Sequence, residues 1–262
     1  MRPASISEIR KLASVADEKE LKALRRSLAG DARLGISPIL DAAQRRIDKQ
    51  KAEASRLSGM YSFERSFCAS DAEVCIGLDE VGRGPIAGPV AVGAVVLPLE
   101  PLIEGLNDSK KVPEGKRSRI AQDIKDQALG HAVVFVEACD IDKHGITACL
   151  KKAFSDAVSL VEKNVGAIDH VLLDGNPMRI DEREINIVKG DSKCASIAAA
   201  SMIAKVERDK LMCAFDEEYP GYGFAENKGY GTKAHMEAIR KHGLCEIHRR
   251  SFCSGIVQET LF

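Results

Sequence analysis

Four acidic residues, placed at three points along this 262-residue chain, are of a type and spacing that could hold hard cations. Asp79 and Glu80 follow the apolar run 74–78 and lead straight into Gly82-Arg83-Gly84-Pro85. Asp174 follows Val171-Leu172-Leu173, and Asp191 opens a long segment rich in small residues. Carboxylate oxygens suit Mg²⁺ or Mn²⁺. Neighbouring residues of a strand point to opposite faces, so Asp79 and Glu80 meet at one ion only if the backbone bends there, which glycines at 82 and 84 permit. Glycines on both sides of Arg83 also let the backbone itself approach a ligand, as phosphate-binding turns do. Each acid has a plainer alternative. The Asp79-Glu80 pair could be a polar turn, Asp174 a turn residue before Gly175-Asn176-Pro177, and Asp191 the N-cap of a helix from Ser192.

The elements that must carry these residues follow from periodicity. Val74 to Leu78 and Val90 to Leu97 read as short buried strands joined by the segment Gly82 to Pro89, and Ala132 to Ala138, Val171 to Leu173 and Glu184 to Val188 as three more. Helices are expected from Pro113 to Leu129, Thr147 to Lys163 and Ser192 to Glu217. In an α/β sheet, strand ends and helix starts on one side line one crevice. If the first and fourth strands lie side by side and parallel, Asp79 and Asp174 become neighbours and Asp191 joins them. Four such carboxylates repel one another, and two divalent cations about 3.5–4 Å apart would neutralise them in a site suited to phosphoryl transfer. Lys205, Arg208 and Lys210 on the last helix read as a solvated face. The glycine-rich stretches Pro220 to Phe224 and Asn227 to Thr232 carry rings that could stack on a base or sugar or lie in the core. His248-Arg249-Arg250-Ser251-Phe252 is basic without further meaning of its own.

Residues 1–58 read as two short helices and one long one. Ser5-x-x-Glu8 and Asp17-x-x-Glu20 are capping boxes, Pro38 stands at the first helical position of the third helix, and Ser58-Gly59 ends it. An aromatic joint, Tyr61, Phe63 and Phe67, precedes the first strand. Residues 1–70 hold 14 Lys and Arg against 9 Asp and Glu, the remainder 24 against 30, so a basic appendage is joined to an acidic body. That asymmetry is compatible with an anionic polymer as substrate. No apolar run approaches the ~18 residues of a membrane span, and the basic-then-apolar order of a signal peptide is lacking, so a cytoplasmic protein with no membrane partner is expected. Eight cysteines without a Cys-x-x-Cys pair read as reduced thiols, several of them small apolar fillers. No Gly-x-x-x-x-Gly-Lys-Ser/Thr occurs, which excludes a P-loop nucleotide enzyme.

Several motifs are now in place: Asp79-Glu80-Val81-Gly82-Arg83-Gly84-Pro85, Asp108-Ser109-Lys110-Lys111, Lys189-Gly190-Asp191-Ser192-Lys193, Ser196 to Ser201, Lys228-Gly229-Tyr230-Gly231-Thr232 and His248-Arg249-x-Ser251-Phe252. In this order, from about Val74 to Phe252, the chain resembles the bacterial ribonuclease HII (type 2 ribonuclease H) family. The resemblance implies an α/β RNase H-like fold: a mixed five-stranded sheet flanked by helices, with a helical N-terminal extension (1–70) and a catalytic domain (71–262) that is α-rich at its C-terminal end. It implies a monomeric endoribonuclease dependent on Mg²⁺ or Mn²⁺, with two ions bound. Its substrates would be RNA/DNA hybrids and duplex DNA containing single ribonucleotides, as in ribonucleotide and primer removal. Asp79, Glu80, Asp174 and Asp191 match the family's metal-binding carboxylates. Gly82, Arg83 and Gly84 match its ribonucleotide-contacting motif, and Tyr230 matches the tyrosine that stacks on the sugar at the RNA-to-DNA junction. Ser109, Lys110 and Lys193 match positions expected to contact phosphate or support the site. The first 70 residues depart from compact members and resemble the extension of longer ones. Two other functions compete: a type 3 ribonuclease H acting on longer hybrids, against which Gly82-Arg83-Gly84 and Tyr230 speak, and a catalytically silent hybrid-binding module, against which the four acids speak.

Overall fold

The computed structural model describes residues 4–31 and 33–255; the outer ends of the two expected segments, residues 1–3 and 256–262, lie outside them. The chain forms two compact units, Met1–Ser58 and Gly59–Phe262.

In the first unit, α1 (Ile6–Val15), α2 (Glu18–Ser27) and the start of α3 (Ile36–Arg65) enclose a small core of Ile9, Leu21, Leu40 and Ile47. Both capping boxes form: Ser5 Oγ accepts from the Glu8 N–H at 3.2 Å, and Asp17 Oδ1 from that of Glu20 at 2.7 Å. Two boundaries differ from expectation. Pro38 is the third residue of α3, still within the first turn, where its missing N–H has no intrahelical partner to lose. Gly59 does not end the helix: α3 runs on to Arg65, because Met60, Tyr61 and Glu64 are buried in the second unit and offset the ~1 kcal/mol that a mid-helix glycine costs.

The second unit is built on β1 (Cys75–Val81), β2 (Val90–Val96), α4 (Glu114–Gln127), β3 (Gly130–Val136), α5 (Ala138–His144), α6 (Ile146–Val165), β4 (His170–Asp174), β5 (Glu184–Ile187), α7 (Ala195–Glu218), α8 (Phe224–Asn227) and α9 (Lys233–His242). The strand order is β3-β2-β1-β4-β5, with β1 antiparallel to β2 and parallel to β4. It is the mixed five-stranded, helix-flanked sheet that the motifs imply. Apolar residues of one face, among them Ile76, Leu78, Val92 and Leu173, pack with Phe154, Val158 and Val161 of α6. The other face receives α7 at very close range. A methyl group at Gly77 would lie 2.2 Å from the Ser196 carbonyl carbon, and one at Gly93 2.2 Å from Ala200 O. Ser196 and Ala200, at these two contacts, have small side chains, so helix and sheet backbones can approach this far. Among the described residues, no helix is long and apolar enough to cross a membrane.

Candidate active site

The α7 face of the sheet carries the acids. Gly77 and Asp79 share that face by the two-residue period of β1, and the last parallel pair of β1 and β4, Leu78 with Leu173, leaves Asp79 and Asp174 as the next residues of adjacent strands. The backbone does not bend between Asp79 and Glu80. Pairing with β2 stays regular through Val81 and Ala91, and the turn comes afterwards, at Gly82 with φ +87°. Glu80 therefore sits where β4 has run out, and its carboxyl still feels the Asp174 charge. Asp191 is not a helix cap. It lies in a single 3₁₀ turn, Gly190–Ser192, and α7 starts only at Ala195 after Cys194. Asp174 Oδ1 accepts the Gly190 N–H at 2.6 Å and so ties the end of β4 to the turn that bears Asp191.

Three of these carboxyls are held above their usual range. Asp79 is pushed well up by burial and then by the charges of Glu80 and Asp174, against hydrogen bonds from the Ser201 hydroxyl and the Glu80 N–H. Glu80 is raised by burial and Asp174, against Arg83 at 3.4 Å. Asp191 is raised by burial, Asp108 and Asp174, against Lys110 and Lys111. Carboxyls near enough to raise one another are oxygen donors of the kind hard divalent cations take. Among the described residues the group whose ligand atoms lie within 4.8 Å of one another is a different one, Cys68, Glu73 and His170. Its donors are satisfied without an ion: Glu73 Oε2 accepts from the Ala69 N–H and pairs with His170 Nε2 at 2.7 Å.

The other expected residues divide. Arg83 and Gly84 are exposed beside the acids, and a methyl at Gly84 would lie 4.0 Å from the ring of Tyr230, which is 50% exposed and not a core residue. Tyr222 is the core ring, stacked on Phe224. Lys110 is exposed near Asp191, and Lys193 is exposed with its ammonium on Val188 O at 2.8 Å. Ser109 is 1% exposed, so it cannot meet a substrate directly. Its hydroxyl lies 3.1 Å from that of Ser201, which hydrogen-bonds Asp79.

The largest departure is Arg208, read from sequence as solvated and found 1% exposed. It binds Pro89 O at 2.8 Å and Lys228 O at 3.0 Å. Its periodicity could have revealed this, since Ile197, Ser201, Ala204, Arg208 and Met212 recur at spacings of three and four on the buried side of α7. Arg249 and His248, also buried, and Glu64, whose Oε2 accepts the Ser196 N–H at 2.7 Å, carry no such local signal.

The sequence model of a family described as Ribonuclease HII matches residues 76–255, and that of the Ribonuclease HII N-terminal domain matches residues 5–68. The chain is 43% identical over 225 residues to Ribonuclease HII of Ruminiclostridium cellulolyticum, covering 85% of this chain and 87% of that one. It is 41% identical over 249 residues to Ribonuclease HII of Listeria monocytogenes, covering 95% and 94%. Among solved structures, ribonuclease H2 from Pyrococcus horikoshii superposes with a TM-score of 0.60 at 24% identity, over 72% of this chain and 99% of that one. Sequence relatives of this identity and coverage, together with family matches on both sides of residue 70, settle where the protein stands: it belongs to the ribonuclease HII family.

Proposed function

We propose that this chain is a cytoplasmic, monomeric endoribonuclease that cleaves the RNA strand of RNA/DNA hybrids and nicks duplex DNA on the 5′ side of a single embedded ribonucleotide. The observation that carries the reading is the mutual charge effect of Asp79, Glu80, Asp174 and Asp191, beside an exposed Arg83-Gly84 turn and the exposed ring of Tyr230. The four carboxylates are the residues that would hold Mg²⁺ or Mn²⁺, two ions in all; when bound, these supply activation of water and neutralisation of charge on the phosphate. The bond broken is that between phosphorus and the 3′ oxygen of the preceding nucleotide, which leaves a 3′-hydroxyl and a 5′-phosphorylated ribonucleotide.

The protein's own groups select the position. Arg83, 3.4 Å from Glu80 and largely in solvent, can exchange that weak ion pair for a phosphate. Backbone amides of residues 82–84 suit the ribose 2′-hydroxyl, the atom that separates RNA from DNA. In this reading Tyr230 would offer its face to the neighbouring sugar, Lys110 and Lys193 would meet backbone phosphates, and Ser109, 3.1 Å from the Ser201 hydroxyl, would support Asp79. The basic first segment contributes duplex affinity.

The test uses a DNA duplex with one ribonucleotide, incubated with Mg²⁺ or Mn²⁺ and, separately, with chelator. A metal-dependent nick 5′ to the ribonucleotide is expected, and Asp79→Asn and Asp174→Asn should abolish it while hybrid binding persists. Absence of the nick in the unaltered protein overturns the reading.

A further inference from the structure

The two recognition elements, residues 82–84 and Tyr230, lie about 150 positions apart in sequence, and one buried dipeptide touches the supports of both. Arg249 is 0% exposed, and each of its three guanidinium nitrogens donates to a carbonyl: Nη2 to Gly82 O at 2.7 Å, Nη1 to Arg83 O at 2.9 Å and Nε to Gly88 O at 3.0 Å. A trans peptide points its N–H opposite to its C=O. With the Gly82 and Arg83 carbonyls turned inward onto Arg249, the N–H groups of Arg83 and Gly84 face outward. Neither donates to another group among the described residues. The buried cation thus fixes the direction of two free donors at the surface. Arg208 reinforces this from the other side, since Gly82 has no Cβ and the Arg208 Nε occupies the space 2.1 Å from where one would be.

The preceding residue, His248, reaches the other element. Its Nδ1 faces the Cys245 N–H at 3.0 Å, and because that group can only donate, Nδ1 carries no proton. Neutral His248 therefore bears its proton on Nε2, which lies 3.1 Å from His235 Nε2. His235 must accept there and carry its own proton on Nδ1, which donates to Tyr230 O at 2.9 Å. The proton order runs one way, from Cys245 through both imidazoles to the backbone of Tyr230. Burial keeps both rings neutral, with His248 pushed down to about 4. Between the two anchors the loops are stitched directly: Gly229 O accepts from the Ile86 and Ala87 N–H groups, and the Arg249 N–H donates to Ile86 O at 2.8 Å.

We propose that His248 and Arg249 act as one positioning unit that holds the ribose-reading turn 82–84 and the junction-reading Tyr230 in a single register. The proposal rests on the function given above and adds the device that sets its selectivity. A duplex with one ribonucleotide offers a single productive register, so a misplaced turn or tyrosine has no second chance. An uninterrupted hybrid offers a 2′-hydroxyl at every step and tolerates the error better.

The experiment measures kcat/KM on both substrates, with thermal unfolding alongside, for Arg249→Lys, His235→Ala and His235→Asn. Lysine keeps the charge but loses the fork. Asparagine places an amide N–H near the position of Nδ1, and alanine removes it. For Arg249→Lys and His235→Ala the single-ribonucleotide substrate should lose about tenfold or more beyond any loss on the hybrid, as expected when a charge-assisted or buried hydrogen bond is withdrawn. His235→Asn should restore most of the ratio. Equal losses on both substrates, or identical behaviour of His235→Asn and His235→Ala, overturn the positioning role even if cleavage by the unaltered protein is normal. Should Arg249→Lys fail to fold, the two His235 variants decide alone. Absence of cleavage by the unaltered protein defeats the proposed function and this inference together.

Discussion

Asp79 is buried on the sheet face that receives α7, with the charges of Glu80 and Asp174 bearing on it and a serine hydroxyl and one backbone N–H as its hydrogen-bond donors. Such a group opposes folding in the absence of cations, since buried charge is favourable only when compensated. Asp79→Asn keeps the shape and an acceptor for Glu80 while removing the charge. In chelator it should raise stability by about 1 kcal/mol, or roughly 2–4 °C in thermal unfolding for a domain of this size, although cleavage is lost. A lower unfolding temperature would show that the repulsion is not felt. At this scale the acids were legible because strand-end carboxylates stand out against apolar runs. Arg208 and Arg249 were not, because arginine is ordinarily solvated and what makes them buried is a set of loop carbonyls supplied by residues 82–89 and 228, far away in sequence.

At the scale of elements, most strands announced themselves through apolar runs, whereas the parallel contact of β1 with β4 entered the sequence reading only as a condition, which the register of the two strands meets. The start of α7 did not announce itself. Asp191 resembles an N-cap, yet the helix begins four residues later with Cys194 at the cap and no side chain of its own segment capping it. The cap comes from Glu64, 132 positions earlier than Ser196, whose carboxylate accepts the Ser196 N–H at 2.7 Å and the Cys194 thiol at 3.2 Å. Burial outweighs these bonds and raises the Glu64 carboxyl above its ordinary value of 4.5. A raised folded value means that the stabilisation is complete below the ordinary value and is lost as pH rises through the folded one. Glu64→Gln keeps an acceptor oxygen and cannot ionise, so its stability advantage over the unaltered chain should be greater near about pH 8 than near about pH 5. Parallel stability curves for the two proteins would mean that Glu64 is not the titrating cap.

On the scale of the whole molecule, the division between Ser58 and Gly59 falls inside α3, so one helix serves two cores. Composition and helical periodicity point to a basic appendage but cannot place this boundary, because the last turns of α3 look like the rest of it. They belong to the second unit by contact: Tyr61 Oη accepts the Ile103 N–H at 3.2 Å, and Glu64 caps α7. Deletion of residues 1–58 keeps those contacts, whereas deletion through Ser70 leaves buried N–H groups at 103 and 196 without their acceptors, each costing roughly 1–3 kcal/mol. The shorter deletion removes 13 Lys and Arg against 8 Asp and Glu. If that excess meets duplex phosphates, each lost contact lowers the slope of log affinity against log salt by about 0.9. The chain beginning at Gly59 should therefore keep its kcat on the single-ribonucleotide duplex, bind that duplex more weakly at low salt, and converge with the full chain as salt rises. Parallel salt curves for the two proteins would assign residues 1–58 a role other than electrostatic binding.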